Sequence, residues 1–323
     1  MKFSIPEIST TIEQLRKLTQ LDIQNKWRSC QEDIPITAVK NLDTWQLATT
    51  NEKKQIAWEK GKQILWLGQK LIIPPNLNGY LLTDLSLRLG LVWWAEYVEI
   101  YVNGKLVQTG DLFDYSSRIL LSQKVVVGKT FIIAIKLVSP AHDRGALVKS
   151  WFVYENLNNY QLDPGFMADR LEILLEYLTK FESKIDFKLE RIKKSISLID
   201  LQAVGKKEKF ERSLLNLHSE ITKISENYIN SLKLKLLGHA HLDLAWLWDV
   251  EETWEAAQRT FTSVLNLQQD FPELIFCHST PALYEWIEQN RPDLFNKIKR
   301  QIELGKWEVT AGLWVEPELN TVG

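Results

Sequence analysis

Residues 232–261, LKLKLLGHAHLDLAWLWDVEETWEAAQRTF, decide how this chain is read. LKLKLLG (232–238) alternates apolar and basic residues and ends in glycine, the pattern of a strand. From Glu251 to Gln269 the period changes to that of a helix, with Trp254, Ala257, Phe261, Val264, Leu265 and Leu267 mostly inward. Leu274 to Cys277 predicts a second strand, and Thr280-Pro281 caps a helix running to about Gln289. Pro292 to Leu304 forms another helix, stopped by Gly305, and Trp307 to Trp314 a third strand. Strands alternating with helices over so short a span imply a parallel sheet with right-handed crossovers. Three strands make a small α/β unit with exposed edges, so 232–323 is expected to be an incomplete domain.

Working outward, the chain has 323 residues, a prior of two domains at about 150 residues each. The formal charge is 39 − 41 = −2, which argues against a nucleic-acid binder. Hydrophobic content of 45% and charged content of 25% exclude wholesale disorder. No run approaches the roughly 20 apolar residues of a membrane helix, and the first residues show no signal-peptide pattern. Cys30 and Cys277 stand far apart, as in a reducing compartment, and a cytoplasmic location is expected. Thirteen Trp invite a carbohydrate reading, although most sit at spacings that suit a core.

Residues 1–60 read as a weakly patterned segment with short helical stretches such as Thr11 to Thr19. Short β-rich runs ended by Gly, Pro or Asn fill 61–160 and predict an accessory β-sandwich. Within it Asn103-Gly104 is a type I′ hairpin signal, and Val98, Ile100 and Val102 alternate with polar or amphipathic partners. Asp163-Pro164 predicts a helix start. Behind it an apolar stripe from Leu171 to Tyr228, interrupted near Gly205, predicts a helical-hairpin linker over 163–230. The fold class expected is therefore a multidomain chain: β-sandwich, helical-hairpin linker, then the first strands and helices of an α/β domain.

GHAHLDLAW (238–246) follows directly on the first strand of that domain, and ligands in α/β sheets collect at the carboxyl ends of strands. His239, His241 and Asp243 alternate, so an extended chain turns all three to one side, and imidazole and carboxylate are zinc ligands. The blander alternative is polar strand-end residues bonded to neighbouring backbone. Trp246 offers a flat platform for a sugar ring, or else a core indole at the strand–helix junction. Glu316 and Glu318 close the third strand and are open to substrate binding, acid–base work or structural hydrogen bonding. His278-Ser279 ends the second strand without a further signal, His142 reads as a loop residue and His218 as a helix surface.

The G-H-x-H-x-D-x-A-W-L-W run, the E-T and R-T-F helix, the P-x-L-F helix and the G-x-W-E-x-x-x-G-x-W-V-E strand occur here in order. Together they resemble the start of the catalytic domain of α-mannosidases of glycoside hydrolase family 38, in its cytosolic/vacuolar and bacterial branch. That resemblance implies a seven-stranded α/β barrel, one divalent ion (zinc, with cobalt an alternative) and retaining hydrolysis of terminal α-mannosides. It implies a mannose-containing oligosaccharide as partner, with neither nucleic acid nor membrane, and allows a homo-oligomer of the complete protein. It places the metal on His241 and Asp243 and the stacking indole on Trp246, and takes His239 out of the ligand set. The family's nucleophile is an Asp in an Asp-x-Phe-Gly type motif, which these 323 residues lack. Glu318 matches a different family position, and the general acid and remaining metal His are likewise expected elsewhere. Retaining chemistry needs two carboxyl groups about 5–5.5 Å apart, so the chain alone is expected to be inactive and to hold zinc weakly. Two further readings stand beside this one. A zinc amidohydrolase or deacetylase would coordinate through His239 as well as His241. A carbohydrate-binding β-sandwich would need no metal.

Overall fold

A computed structural model describes residues 4–40, 42–156, 162–181, 185–226, 235–245, 248–310 and 312–315. The chain divides into two compact units, Met1–Ser231 and Leu232–Gly323.

In the first unit, helix α1 (Ser4–Lys17) precedes β1 (Gln20–Asp22), β2 (Arg28–Cys30), β3 (Gln46–Leu47), β4 (Ile56–Trp58) and β5 (Ile64–Ile72). A small hairpin, β6 (Asn76–Leu77) and β7 (Tyr80–Leu81), leads to β8 (Ser86–Trp94), β9 (Tyr97–Val102) and β10 (Lys105–Gly110). β11 (Ser116–Ser122), β12 (Thr130–Val138) and β13 (Gly145–Glu155) complete the sheets, and α2 (Pro164–Phe181), α3 (Ile185–Ile196) and α4 (Lys207–Ser225) follow. One antiparallel sheet has the order β1-β13-β8-β11, with β4 also on β13; the other runs β10-β9-β12-β5-β2-β3.

Asn103 at φ 52° and Gly104 at φ 79° form the turn between β9 and β10, as the Asn-Gly signal requires. Val98 and Ile100 face one core with no exposure, and Glu99 and Tyr101 lie half-buried on the opposite face, Tyr101 packed against the cluster of Trp45 and Trp66. The Asp163 side chain accepts from the Phe166 amide at 2.8 Å and so caps α2.

In the helical region the described residues form α2, α3 and α4, and their apolar stripes join the sheet core: Leu171, Ile192, Phe210 and Leu217 share one buried cluster with Leu89, Ile133 and Phe152. Residues 1–60 likewise do more than an irregular lead-in, since α1 buries Ile8 and Leu15 in that cluster and β1 to β4 extend both sheets. The physical reason is area. A stripe of that width has to bury its apolar surface, at roughly 25 cal/mol per Å², and the nearest surface is the sandwich.

The abundance of tryptophan has a cross-strand explanation. A Cβ built on Gly90 would lie 2.2 Å from the Trp151 indole, one on Gly110 2.3 Å from Trp93, and one on Gly145 2.3 Å from Trp58. Trp151 and Gly90 are direct partners across β13 and β8, as are Gly145 and Trp58 across β13 and β4. A strand glycine leaves bare backbone, and a neighbouring aromatic ring covers it. Among the described residues Trp27, Trp45, Trp58, Trp66, Trp93 and Trp307 are buried, which supports the core reading for them.

In the second unit, three parallel strands lie in the order β14 (Gly238–His239), β15 (Phe276–His278) and β16 (Trp307–Val309). α5 (Val250–Asp270) connects the first pair; α6 (Pro281–Asn290) and α7 (Pro292–Glu303) connect the second. Phe261 of α5, Phe276, Leu283 and Ile287 of α6, Ile298 of α7 and Trp307 form its apolar core. Pro281 starts α6 as expected, but the Thr280 hydroxyl makes no capping bond. Asp249 caps α5, its carboxylate accepting from the Glu252 amide at 2.9 Å. Among the described residues no helix is long and apolar enough to cross a membrane.

Candidate functional site

The three parallel strands of the second unit end on the same side, at His239, His278 and Val309. β14 is registered there by the Gly238 amide, which donates to the Ile275 carbonyl at 2.8 Å. Beyond β14 the chain leaves the ladder yet keeps its alternation. Ala240, Leu242 and Leu244 pack against the apolar core, while His241 and Asp243 turn outward, 60% and 35% exposed at their side chains. The period of two that the sequence carries thus survives the end of the hydrogen-bonded strand.

The outward side chains do not form a trio. His241 Nε2 and Asp243 Oδ1 are 2.8 Å apart, and because a carboxylate can only accept, the imidazole N–H donates. His239 goes elsewhere: its Nδ1 lies 3.0 Å from the Cys277 carbonyl oxygen, so that nitrogen carries the proton. Its ring stacks on His278 with centroids 5.8 Å apart. Among the described residues no three of His, Cys, Asp and Glu come close enough to hold a metal ion.

The donor set of the pair fits a divalent cation. Two ligands at about 2.1 Å from a tetrahedral zinc stand about 3.4 Å apart, so the 2.8 Å hydrogen bond need open by only about 0.6 Å to admit the ion. Binding would displace the shared proton, which couples affinity to pH.

His278 is fully buried in an aromatic box of Phe261, Phe276 and Tyr284. Its Nδ1 accepts from the Thr280 amide at 3.4 Å, and its place is structural. Trp307 Nε1 donates to the Tyr284 hydroxyl at 2.8 Å, and burial pushes that phenol up to about 12. Trp246, Glu316 and Glu318 lie outside the described residues. His142 is exposed in a loop. His218 is no plain surface residue: its Nδ1 accepts from Arg170 at 2.7 Å, and its pKa is lowered by burial and by that guanidinium.

The residue that sequence reasoning passed over is Thr253. It is buried in the first turns of α5, and its hydroxyl donates to the Asp243 carbonyl at 3.0 Å while accepting from Trp248 Nε1 at 3.0 Å. Its one signal in the sequence is its place in the E-T pair of the motif.

Residues 231–323 match the sequence profile described as Glycosyl hydrolases family 38 N-terminal domain. Alpha-mannosidase G of Dictyostelium discoideum is 36% identical over 84 residues, and human Alpha-mannosidase 2C1 is 35% identical over 83. Each alignment covers 26% of this chain and 8% of the relative. The 4-alpha-glucanotransferase of Thermococcus litoralis is 32% identical over 76 residues, covering 23% of this chain and 11% of that protein. The matched segment coincides with the second compact unit, and the His241–Asp243 pair lies within it.

Proposed function

We propose that the second unit is the N-terminal part of an α-mannosidase catalytic domain, whose complete form hydrolyses terminal α-mannosides with retention through a divalent ion. The observation that carries this reading is the outward His241–Asp243 pair, in hydrogen-bond contact at the carboxyl end of a parallel strand inside a family 38 segment. In the proposal the three parallel strands begin a seven-stranded barrel. His241 and Asp243 hold the ion, with zinc suited to nitrogen and carboxylate donors and cobalt an alternative. When bound, the ion serves as a Lewis acid and template for sugar hydroxyls. The chain's own residues orient and hold: Leu242 and Leu244 anchor the loop in the core, and Trp246 is assigned the sugar face. The substrate is a mannose-containing oligosaccharide, and the compartment proposed is the cytoplasm.

Residues 1–323 contain no counterpart of the family's nucleophile motif, so the proposal gives them weak zinc binding and no turnover by themselves. Calorimetric titration of zinc into the chain tests the pair. Wild type takes up one ion, and His241→Ala together with Asp243→Ala abolishes uptake. Uptake that survives both substitutions refutes the ligand assignment. A chromogenic α-mannoside assay on the same chain tests the rest, and robust turnover refutes the division of the site.

The alignment with a 4-alpha-glucanotransferase favours a second reading, an α-glucan-acting enzyme built on the same strand end. Zinc-loaded chain that binds maltose and not mannose would select it.

A further inference from the structure

The loop between β14 and α5 carries Asp243 at one end and Trp248 at the other, and both ends converge on one hydroxyl. Thr253 is 1% exposed. Its single hydroxyl proton points to the Asp243 carbonyl oxygen at 3.0 Å, with the Asp249 carbonyl 3.3 Å away as a second acceptor. Its oxygen accepts from the Trp248 indole Nε1 at 3.0 Å. Five residues separate Trp248 from Thr253 and ten separate Asp243 from it, so one side chain closes the loop from both sides. The backbone of α5 below it is held in turn by the Asp249 cap.

We propose that Thr253 is the positioning residue of this loop, fixing the Asp243 backbone so that its carboxylate stays on His241 and the pair is preorganised for a cation. The proposal rests on the ligand assignment above only for what the pair holds; the clamp itself needs no metal. The physical argument is one of geometry. Asp243 lies outside any strand ladder, and its side chain is hydrogen-bonded to another exposed, rotatable side chain. Without an anchor on its backbone the carboxylate samples several directions, and each added rotamer lowers the fraction competent to bind. A buried hydroxyl between a carbonyl and an indole N–H supplies that anchor, because its loss removes both hydrogen bonds at once. Valine has the shape of threonine without its hydroxyl, and serine keeps the hydroxyl without the methyl.

The test is made on the full 323-residue chain with Thr253→Val and Thr253→Ser, using zinc ion as the probe. Three quantities are measured: zinc affinity by calorimetry, hydrogen exchange of the Trp248 indole N–H by NMR, and circular dichroism of the folded chain. Thr253→Val is expected to weaken zinc binding by about tenfold, within the range for groups that orient metal ligands. It is also expected to deprotect the Trp248 indole proton while the chain stays folded. Thr253→Ser is expected to restore both properties. A purely structural role would lower the melting temperature and leave the affinity of the folded protein unchanged, so unchanged affinity in a folded Thr253→Val overturns the proposal. Equal weakening by valine and serine also overturns it, since the hydroxyl would then not be the cause. Should Thr253→Val fail to fold, the serine variant decides: wild-type affinity and protection support the clamp, and loss of either refutes it. Absence of zinc uptake by wild type refutes the ligand assignment instead. Indole protection then judges the clamp, and a proton equally protected in Thr253→Val overturns it.

Discussion

Replacing Gly90 with alanine adds one methyl group, and its consequence can be worked from the position of Trp151. The new Cβ would lie 2.2 Å from Cε2 and 2.4 Å from Cζ2 of the indole, where carbon atoms in contact stand about 3.5 Å apart. The indole must therefore retreat by more than about 1 Å, and it is a rigid ring on a strand whose partner residue is Gly90 itself. Overpacking of this kind costs about 1–3 kcal/mol. In a unit of this size, 1 kcal/mol moves the midpoint by about 2–4 °C, so Gly90→Ala should lower Tm by about 2–12 °C. The informative measurement is the double-mutant cycle with Trp151→Ala, followed by urea denaturation and near-ultraviolet circular dichroism. With the ring gone, alanine at position 90 has nothing to meet in that direction. It should then cost nothing, or gain a few tenths of a kcal/mol from a less flexible unfolded chain. The expected coupling energy is thus of the same 1–3 kcal/mol and opposes addition. Additive single and double effects would refute the claim that the indole is the group covering Gly90.

Two further outcomes follow from the core and from His218. Phe261→Ala removes a fully buried ring in contact with His278, Tyr284 and Trp307. It should destabilise the second unit by about 3–5 kcal/mol, read as an early urea transition reported by Trp307 fluorescence; a shift under about 1 kcal/mol would contradict the packing. His218 has its folded pKa held below the ordinary value, by burial first and by Arg170 second. The unfolded chain therefore binds the proton more readily as pH falls through about 6.5. Stability of the first unit should be at its plateau above that pH and decline below it, the decline ending under the folded pKa. His218→Gln should flatten the curve between pH 7 and 5, and a wild-type slope in that variant would refute the assignment.

Much of this molecule is legible in its sequence where the determining contacts are local. Asn103-Gly104 specifies a turn because both residues tolerate positive φ. Asp163 caps α2 because its carboxylate reaches an amide three residues on. The outward pair at His241 and Asp243 follows from a period of two, and the strand–helix alternation after Leu232 follows from a change of period. Other features are decided by register between distant segments. Which glycine a tryptophan covers depends on its cross-strand partner, as half-buried Trp151 meets Gly90 and buried Trp58 meets Gly145. His239 shares its spacing with His241 but is drawn to the Cys277 carbonyl by the pairing of β14 with β15. His218 on α4 receives its partner from α2, and Asp243 receives its anchor from α5.

Taken alone, then, the order of residues determined where backbone direction changes and which face of each element is apolar, since φ/ψ preference and periodicity belong to neighbours in the chain. It did not determine which buried surface each apolar face meets. That choice depends on sheet order, register and helix docking, and these follow from how the whole unit removes its apolar area from water while satisfying its backbone.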